Sequence, residues 1–487
     1  MTSAVLGALS GSVMGFGWFA VVFFIGYMVL RWRTMSPLRL SVPGIAFSTY
    51  IGLLLIPALI LAPTEQDEEA AQRFVLLTIL AGAAMLMGMG VISLVYPARN
   101  IDPLGYVRMP VLKPNKPAGK MAIPIILIVV LATSVLRFAH RGTIPFLHLL
   151  TNMHSYANIL ASREAIKEVN EQVNPLIRVQ LYLTSWSELI LMPLVVFVAL
   201  AMYRTTKARG WSILFWLSVC GAMFLGLWDA DKSSGARMAA TLLGGTLLIR
   251  SRLSWKLVTV GVAALGLPLA IAIAIHPENM ERSKIYDAMA SRAFVAPAQI
   301  TYFYVEAFPK FHPHTLGRGT YVLGGMLGRE PVHLPRLVAR YVMGGKAADT
   351  YVNCGFIGTG WAEFGFMGVL VYSMGAGALA QMIQNCIMRR AVHGKRVNWI
   401  LFHAVQIPMW TVVLASAGIT EFFLGRGLVI AFVLAWGLDR VLYAPLSPEL
   451  SEESGGWEAT PAPPPDQIVP VRNWRTPVAM GRGPVRP

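Results

Sequence analysis

The sequence predicts an all-α integral membrane protein with about eleven transmembrane helices and two large extracytoplasmic loops that contain short helices. Hydrophobic residues make up 55% of the 487 residues and charged residues only 14%, whereas soluble proteins carry about 25% charged residues. Apolar stretches of about 20 residues, the length that crosses a bilayer, recur along the chain. Lys and Arg cluster in every second connection between these stretches.

The predicted spans are the apolar stretches with almost no charged residue. They lie near 9–30, 41–62, 74–97, 121–140, 182–203, 210–228, 236–250, 257–276, 363–386, 398–419 and 421–443. The seventh is the shortest, because only 238–249 is free of charge. It can cross a bilayer only if the segment around Lys232 and Arg237 enters the membrane with it.

The basic connections predict the orientation of the chain. They lie near residues 31–39, 99–120, 204–209, 250–256 and 389–396. The positive-inside rule assigns such loops to the cytoplasm, so we expect the N-terminus outside and the C-terminus inside. Arg31 is the first charged residue, and a signal peptide would begin with a basic region. We therefore expect the first span to be an uncleaved membrane helix.

The membrane domain is predicted to cover residues 1–445. Its two large extracytoplasmic loops, about 141–181 and 277–362, contain most of the sequence outside the spans, and loops of this size usually build or cover a site. The tail at 446–487 contains a PAPPP run and lacks apolar periodicity. It is predicted to be a disordered, proline-rich cytoplasmic segment.

Several functional classes are disfavoured. The three cysteines are far apart and no HExxH motif occurs, so we expect no metal site and no cofactor. Basic residues form no continuous stripe, which argues against nucleic-acid binding. An EExxxR pattern at Glu68–Arg73 resembles that of membrane CAAX-type proteases. The matching histidine patterns occur in the wrong chain order, and an acidic turn in an outer loop is the simpler interpretation.

Charged residues gather at the outer junction of the sixth and seventh spans. The segment DADKSSGAR at 229–237 places Asp229, Asp231, Lys232 and Arg237 at the predicted membrane edge. Ionisable groups at that depth are costly and are therefore functional candidates. The alternative is an internal cluster of salt bridges.

The two outer loops add arginines and aromatic residues. Arg163 follows a GTIPF turn in the first loop, and the second carries Arg292 and Arg318 together with Tyr302 and Tyr304. Guanidinium groups bind phosphate oxygens at two points, and aromatic faces suit sugar rings and the membrane interface. These residues predict a site for a lipid diphosphate, although snorkelling to lipid phosphates would explain part of the pattern.

Four stretches together resemble the Wzy-type oligosaccharide repeat-unit polymerases (O-antigen polymerase-like proteins). They are GTIPF at 142–146 with Arg163 after it, SSGAR at 233–237, SRAFVAPAQITYFYVEAFP at 291–309 and GFIGTGWAEFGFMGVL at 355–370. The resemblance implies that Arg163, Arg237 and Arg292 bind a diphosphate. The chain departs from the family pattern at Glu363, where an asparagine is expected.

The resemblance also implies a GT-C-type helical fold in the bacterial inner membrane. The implied reaction is transfer of a growing glycan from undecaprenyl diphosphate onto a lipid-linked repeat unit at the outer face, with inversion and without a nucleotide sugar. The implied partners are the undecaprenyl-diphosphate-linked oligosaccharide, the lipid bilayer, a chain-length regulator and a flippase.

Transfer to a sugar hydroxyl requires a general base near the acceptor. The candidates are the outer acidic and histidine residues Asp229, Asp231, Glu306, Glu363, His312 and His314, of which we favour Asp231. Three other functions stay open. An O-antigen-ligase-like transferase would use an outer-loop histidine. A lipid-linked oligosaccharide flippase or other transporter would show internal repeats and charges within its spans. The third is a non-enzymatic partner in an envelope glycan assembly complex.

Overall fold

The fold comes from a computed structural model in which residues 2–97, 106–107, 109–112, 117–141, 182–227, 232–250, 259, 291–319, 328, 330, 332–344, 352–391, 394–415, 423 and 427–443 are described. The regular secondary structure in these ranges is helical, with no β-strand and only an isolated bridge between Val111 and Lys395. The prediction of an all-α protein is therefore confirmed. The first outer loop beyond residue 141 and the tail at 446–487 lie outside the described residues.

We label the longer helices in chain order. They are α1 (Thr2–Leu30), α2 (Val42–Thr64), α3 (Glu68–Val95), α4 (Pro117–Arg141), α5 (Tyr182–Thr206), α6 (Arg209–Leu227), α7 (Lys232–Arg250), α8 (Ala296–Ala307), α9 (Leu334–Met343), α10 (Phe356–Arg390), α11 (Val397–Ala415) and α12 (Leu428–Leu442). Helices α2 and α5 each include a wider π-helical turn, at Ile51–Leu55 and Ser187–Leu191 respectively. A third such turn, Ser291–Val295, leads into α8.

Seven helices in the described ranges are long and apolar enough to cross a membrane. They are Gly11–Leu30 within α1, together with α2, α3, α5, α6, α10 and α11, and they coincide with predicted spans. The multi-pass character is thus confirmed. The predicted spans at 121–140, 236–250 and 421–443 correspond to α4, α7 and α12, which are not among these seven. The described side chains of α4 include an apolar stretch at Ile123–Leu136. The span at 257–276 lies almost wholly outside the described residues, so eleven spans stay a prediction.

Helices α3 and α10 form the most closely packed pair of the bundle. A Cβ atom on Gly88 or on Gly377 would lie only 2.0 Å from a carbonyl oxygen of the other helix, so the two backbones are in direct contact, as small residues allow in membrane helices. Towards their C-terminal ends, Asn385 Nδ2 donates a hydrogen bond to the carbonyl oxygen of Tyr96 at 2.6 Å. The two helices therefore run in the same direction, and their N-terminal ends lie at the same end of the bundle.

The basic connections meet at the opposite end. The Lys395 ammonium group donates to the carbonyl oxygen of Val107 at 2.7 Å and also to that of Leu248. Arg204 Nη1 donates to the carbonyl oxygen of Ile249 at 2.9 Å. Connections that we predicted to share the cytoplasmic side therefore lie together. Their side of the membrane stays a prediction.

Candidate functional site

Helix α10 changes direction at Gly365. This residue has φ +62° and ψ −140°, a conformation that glycine adopts without steric penalty. A Cβ on Gly368 would lie 2.0 Å from the carbonyl oxygen of Gly360, whereas residues eight apart on a straight helix are about 12 Å apart. The short part at 356–364 therefore packs beside the start of the long part at 366–390, and we call this turn the elbow.

The Glu363 carboxylate lies at the elbow and is fully buried, with 0% exposure. Its Oε2 atom accepts a hydrogen bond from the hydroxyl of Tyr372, in the long part of α10. Its Oε1 atom lies next to Gly319, where an added Cβ would be 3.0 Å away. A buried carboxylate is strongly disfavoured unless hydrogen bonds satisfy it. Tyr372 supplies one such bond, and only a glycine fits at position 319, because a Cβ there would also lie 2.3 Å from the Leu334 side chain.

The loop that follows α8 covers the elbow. The backbone N–H of Leu316 donates to the carbonyl oxygen of Glu363 at 2.9 Å. The indole N–H of Trp361 donates to the carbonyl oxygen of Phe308, also at 2.9 Å. The guanidinium carbon of Arg73, in α3, lies 5.9 Å from the centre of the Trp361 ring, a cation–π distance. Helix α3, helix α8 and the loop after α8 thus hold the elbow together.

The imidazole of His314 packs against the same turn. Its ring centroid is 6.4 Å from that of Phe308 and 5.4 Å from that of Trp361, and its Nε2 atom would be 3.3 Å from a Cβ on Gly365. Its Nδ1 atom is buried and forms no hydrogen bond with any described residue. The elbow therefore gathers a carboxylate, a phenol and an imidazole, which are groups that enzymes use to move protons.

An acidic surface lies at the same end of the bundle, where α3 begins. Asp67 accepts a hydrogen bond from the N–H of Ala70 at 3.0 Å as the N-cap of α3, and its carboxylate is 2.8 Å from the Lys310 ammonium group. The hydrogen bond from Lys310 lowers the pKa of Asp67. Burial, together with the nearby Glu306 carboxylate, raises the pKa of Glu65. The pKa values of Glu65 and Asp67, two residues apart, are therefore shifted in opposite directions.

A cavity of about 300 Å³ opens beside this acidic surface, between α1, α2 and α3. Its walls are mostly apolar, and its polar lining consists of Glu65, Glu68 and Gln72. Carboxylates and amides can bind hydroxyl or ammonium groups. Within the described ranges, no group of three or more His, Cys, Asp or Glu residues is placed to hold a metal ion.

Arg237 lies within α7, slightly more than one turn after its start. Its Nη2 atom donates to the hydroxyl of Ser234 at 3.0 Å, and its side chain lines a small cavity of about 20 Å³ with residues of α5 and α11, including Leu189 and Met409. Lys232 is the first residue of α7. The predicted placement of Arg237 at the membrane edge and its predicted role in diphosphate binding stay predictions.

Arg318 lies on the loop that covers the elbow, next to Gly319. Its Nε atom donates to the carbonyl oxygen of Glu330 at 3.1 Å, which directs the guanidinium group along the loop. Tyr302 and Tyr304 are both 1% exposed, and Tyr304 donates its hydroxyl hydrogen to the carbonyl oxygen of Val352 at 2.9 Å. Both tyrosines are therefore packed inside the protein, and their predicted contact with a substrate stays a prediction.

Other predicted site residues cannot be located. Arg163, Asp229 and Asp231 lie outside the described residues, as do the side chains of Lys232 and Arg292. The structure also reveals a residue that sequence reasoning missed, Tyr372. A tyrosine in an apolar span does not by itself indicate a functional site. Its spacing from Glu363 becomes meaningful only once the chain is known to turn at Gly365.

Comparison with protein-family models, curated proteins and solved structures gives no match for this chain. The class of protein is therefore defined by the fold: an α-helical protein with several helices able to span a membrane.

Proposed function

We propose that the chain is a membrane glycosyltransferase of the O-antigen polymerase type. It would transfer a growing glycan from undecaprenyl diphosphate onto a lipid-linked repeat unit at the outer face of the bacterial inner membrane. The observation that supports this most is the elbow, where the Glu363 carboxylate is buried beside Tyr372 and where His314 packs against the same turn. An ionisable group inside a membrane-spanning element is costly and is usually kept for function.

In the proposed reaction, a hydroxyl oxygen of the acceptor sugar attacks the anomeric carbon of the donor glycan. The bond from that carbon to the lipid diphosphate breaks, and the diphosphate leaves with both bonding electrons. The proton of the acceptor hydroxyl passes to a general base. We assign this role to Glu363 in place of Asp231, because Glu363 is buried at a helix break, where Tyr372 binds its Oε2 atom and His314 packs against the same turn.

Besides a general base, the proposed reaction requires a group that stabilises the leaving diphosphate, and we assign this role to the arginines. Negative charge grows on the diphosphate as the glycosidic bond breaks, and fixed cations stabilise that charge best in a site of low dielectric constant. Arg318 lies on the loop that covers the elbow, and Arg237 lines a small cavity with residues of α5 and α11. Their planar guanidinium groups suit phosphate oxygens better than lysine would.

The first test replaces Glu363 with Gln in the producing cell. This change keeps the size and removes the charge and the basicity. We expect long glycan chains to disappear while single lipid-linked repeats accumulate at the outer face. The matched control is Glu69→Gln, since that side chain is 79% exposed. Arg237→Ala and Arg292→Ala should give the same loss. Chains of normal length in Glu363→Gln would contradict the assignment of Glu363, and normal chains in both arginine variants would contradict the diphosphate site.

Two alternative functions each have one supporting observation. Discontinuous helices are typical of transporter binding sites, so the elbow also suits a lipid-linked oligosaccharide flippase or another transporter. The packing of His314 at the elbow suits an O-antigen-ligase-like transferase. Repeats that accumulate at the cytoplasmic face would favour transport. Polymer that forms normally but is not attached to its final acceptor would favour the ligase.

A further inference from the structure

Polar side chains of α10 and α11 meet the chain just before and at the start of α2. Gln384 Oε1 accepts a hydrogen bond from the N–H of Val42 at 2.8 Å, and the His403 Nε2 atom is hydrogen-bonded to the carbonyl oxygen of Leu40. Because Leu40 and Val42 are two residues apart, these two side chains are close neighbours. The ring centroid of Tyr106 is 5.6 Å from that of His403. This group lies far from the elbow, since Gln384 is about 28 Å along α10 from Gly365 at 1.5 Å per residue.

Each member of this group has a polar atom that no described residue satisfies. These atoms are the Tyr106 hydroxyl, Gln384 Nε2 and His403 Nδ1, together with Oε1 of Gln406, which is one turn further along the same face of α11. The four residues are between 0% and 4% exposed. A buried polar atom without a partner costs about 1–3 kcal/mol. Most buried polar side-chain atoms in native interiors have a partner, so four atoms without one in a single neighbourhood point to a bound polar molecule.

The types of unsatisfied atom indicate what that molecule is. A carbonyl oxygen can only accept, so His403 carries its proton on Nε2 and leaves Nδ1 as an acceptor. Gln406 donates from Nε2 to the carbonyl oxygen of Phe402 at 3.1 Å, so its Oε1 atom is also an acceptor. Gln384 Nε2 is a donor, and the Tyr106 hydroxyl can donate and accept.

A mixture of donors and acceptors suits a small neutral molecule. A metal cation would require acceptors alone, and the Lys395 ammonium group, 5.9 Å from the centre of the Tyr106 ring, would repel it. An anion would require donors alone. Buried waters typically form about three hydrogen bonds each to such groups. We infer that Tyr106, Gln384, His403 and Gln406 bind internal water molecules, in a hydrated site between the start of α2, α10 and α11.

This hydrated site would add a second link between elements that backbone hydrogen bonds already join, since the N–H of Leu112 donates to the carbonyl oxygen of Lys395 at 2.8 Å. Tyr106 belongs to the connection between α3 and α4, which the Lys395 ammonium group holds through the carbonyl oxygen of Val107 at 2.7 Å. Water bridges from Tyr106 to His403 and Gln384 would join that connection to α10 and α11. Helix α10 also forms the elbow at its other end, so the waters would help to position the helix that carries Glu363.

The direct test is hydroxyl-radical labelling by a brief X-ray pulse, with the full chain in lipid nanodiscs and mass spectrometry of each tyrosine. Radicals formed from a bound water oxidise the side chain beside it. The internal control is Tyr50, which is 0% exposed and donates its hydroxyl hydrogen to the carbonyl oxygen of Thr78. We expect Tyr106 to be oxidised about tenfold faster than Tyr50, because internal waters adjoin polar groups and not apolar walls. Equal protection of both tyrosines would overturn the inference.

A second measurement compares Tyr106→Phe with Tyr50→Phe by apparent Tm at a single scan rate. If waters satisfy the Tyr106 hydroxyl, both substitutions remove a hydrogen bond and both lower Tm, by roughly 1–4 °C. If the site is dry, Tyr106→Phe removes an unsatisfied hydroxyl and raises Tm, while Tyr50→Phe still lowers it. A rise in Tm for Tyr106→Phe would overturn the inference.

Discussion

The contact between α3 and α10 leads to a stability prediction with a defined sign. In Gly377→Ala, the new Cβ would lie 2.0 Å from the carbonyl oxygen of Met85, whereas carbon–oxygen contacts between helices are normally at least about 3.3 Å. The two helices would have to separate by about 1.3 Å, the difference between these distances. Overpacking of this kind costs about 1–3 kcal/mol.

Gly375→Ala provides a matched control two residues away on the same helix. A Cβ at Gly375 would have no atom within 4 Å. Replacing glycine by alanine inside a helix stabilises the folded state by about 0.5–1 kcal/mol. We therefore expect Gly377→Ala to lower the apparent Tm by about 2–6 °C and Gly375→Ala to leave it unchanged or raise it slightly. Tryptophan fluorescence during heating in one detergent would measure both. Equal Tm values for the two variants would refute the close contact.

Three further predictions concern the end of the bundle that contains the elbow. Gly365→Ala should lower Tm by a few degrees and shorten the glycan, because a side chain at its positive φ is strained by about 1–3 kcal/mol. Glu65→Gln should raise Tm at pH 7 and have no effect below about pH 4, because burial and Glu306 raise the pKa of Glu65 and its carboxylate form destabilises the fold. Asp67→Asn should lower Tm at pH 7, because the hydrogen bond from Lys310 lowers the pKa of Asp67. That stabilisation is present above about pH 4 and is lost as the pH falls through the lowered pKa of Asp67. Measurement of Tm against pH tests both substitutions: the Tm values of Glu65→Gln and Asp67→Asn should converge on that of wild type in acid.

The positions of the spans could be predicted because apolar length and absence of charge are local properties of the sequence. The predicted span at 41–62 corresponds to α2, Val42–Thr64, and the span at 182–203 to α5, Tyr182–Thr206. Whether α7 and α12 cross the membrane was harder to predict. Helix α7 includes charged residues at both ends, and α12 has only 15 residues. Whether such helices cross a membrane depends on what packs around them, and composition does not determine that.

The elbow could not be predicted, because its causes lie far apart in the sequence. Hydropathy predicts one continuous span at 363–386, and glycine is common in membrane helices. The positive φ of Gly365 depends on contact between Gly360 and Gly368 and on the hydrogen bond from Leu316 to Glu363. Glu363 could be selected as a candidate, because a carboxylate in an apolar stretch is costly. Its partner Tyr372 could not.

The aromatic part of the predicted site illustrates a second limit. Tyr302 and Tyr304 were selected because aromatic residues in an outer loop suit sugar rings. They are two residues apart, so they do not share one face of α8, and yet both are buried. The Tyr302 ring packs edge-on against Phe74 of α3 at 6.0 Å, and Tyr304 is hydrogen-bonded to Val352. The sequence does not indicate that α8 is covered on two sides, because the covering residues are distant along the chain.

The central claim is that Glu363 acts as the base in glycan transfer. The most direct measurement uses the purified full chain in liposomes with undecaprenyl-diphosphate-linked repeat units and follows product length on a gel. We predict a ladder of longer glycans with wild type and with Glu69→Gln. Glu363→Gln, folded to the same apparent Tm within a few degrees, should leave single repeats unextended. A ladder from Glu363→Gln equal to that of wild type would contradict the account.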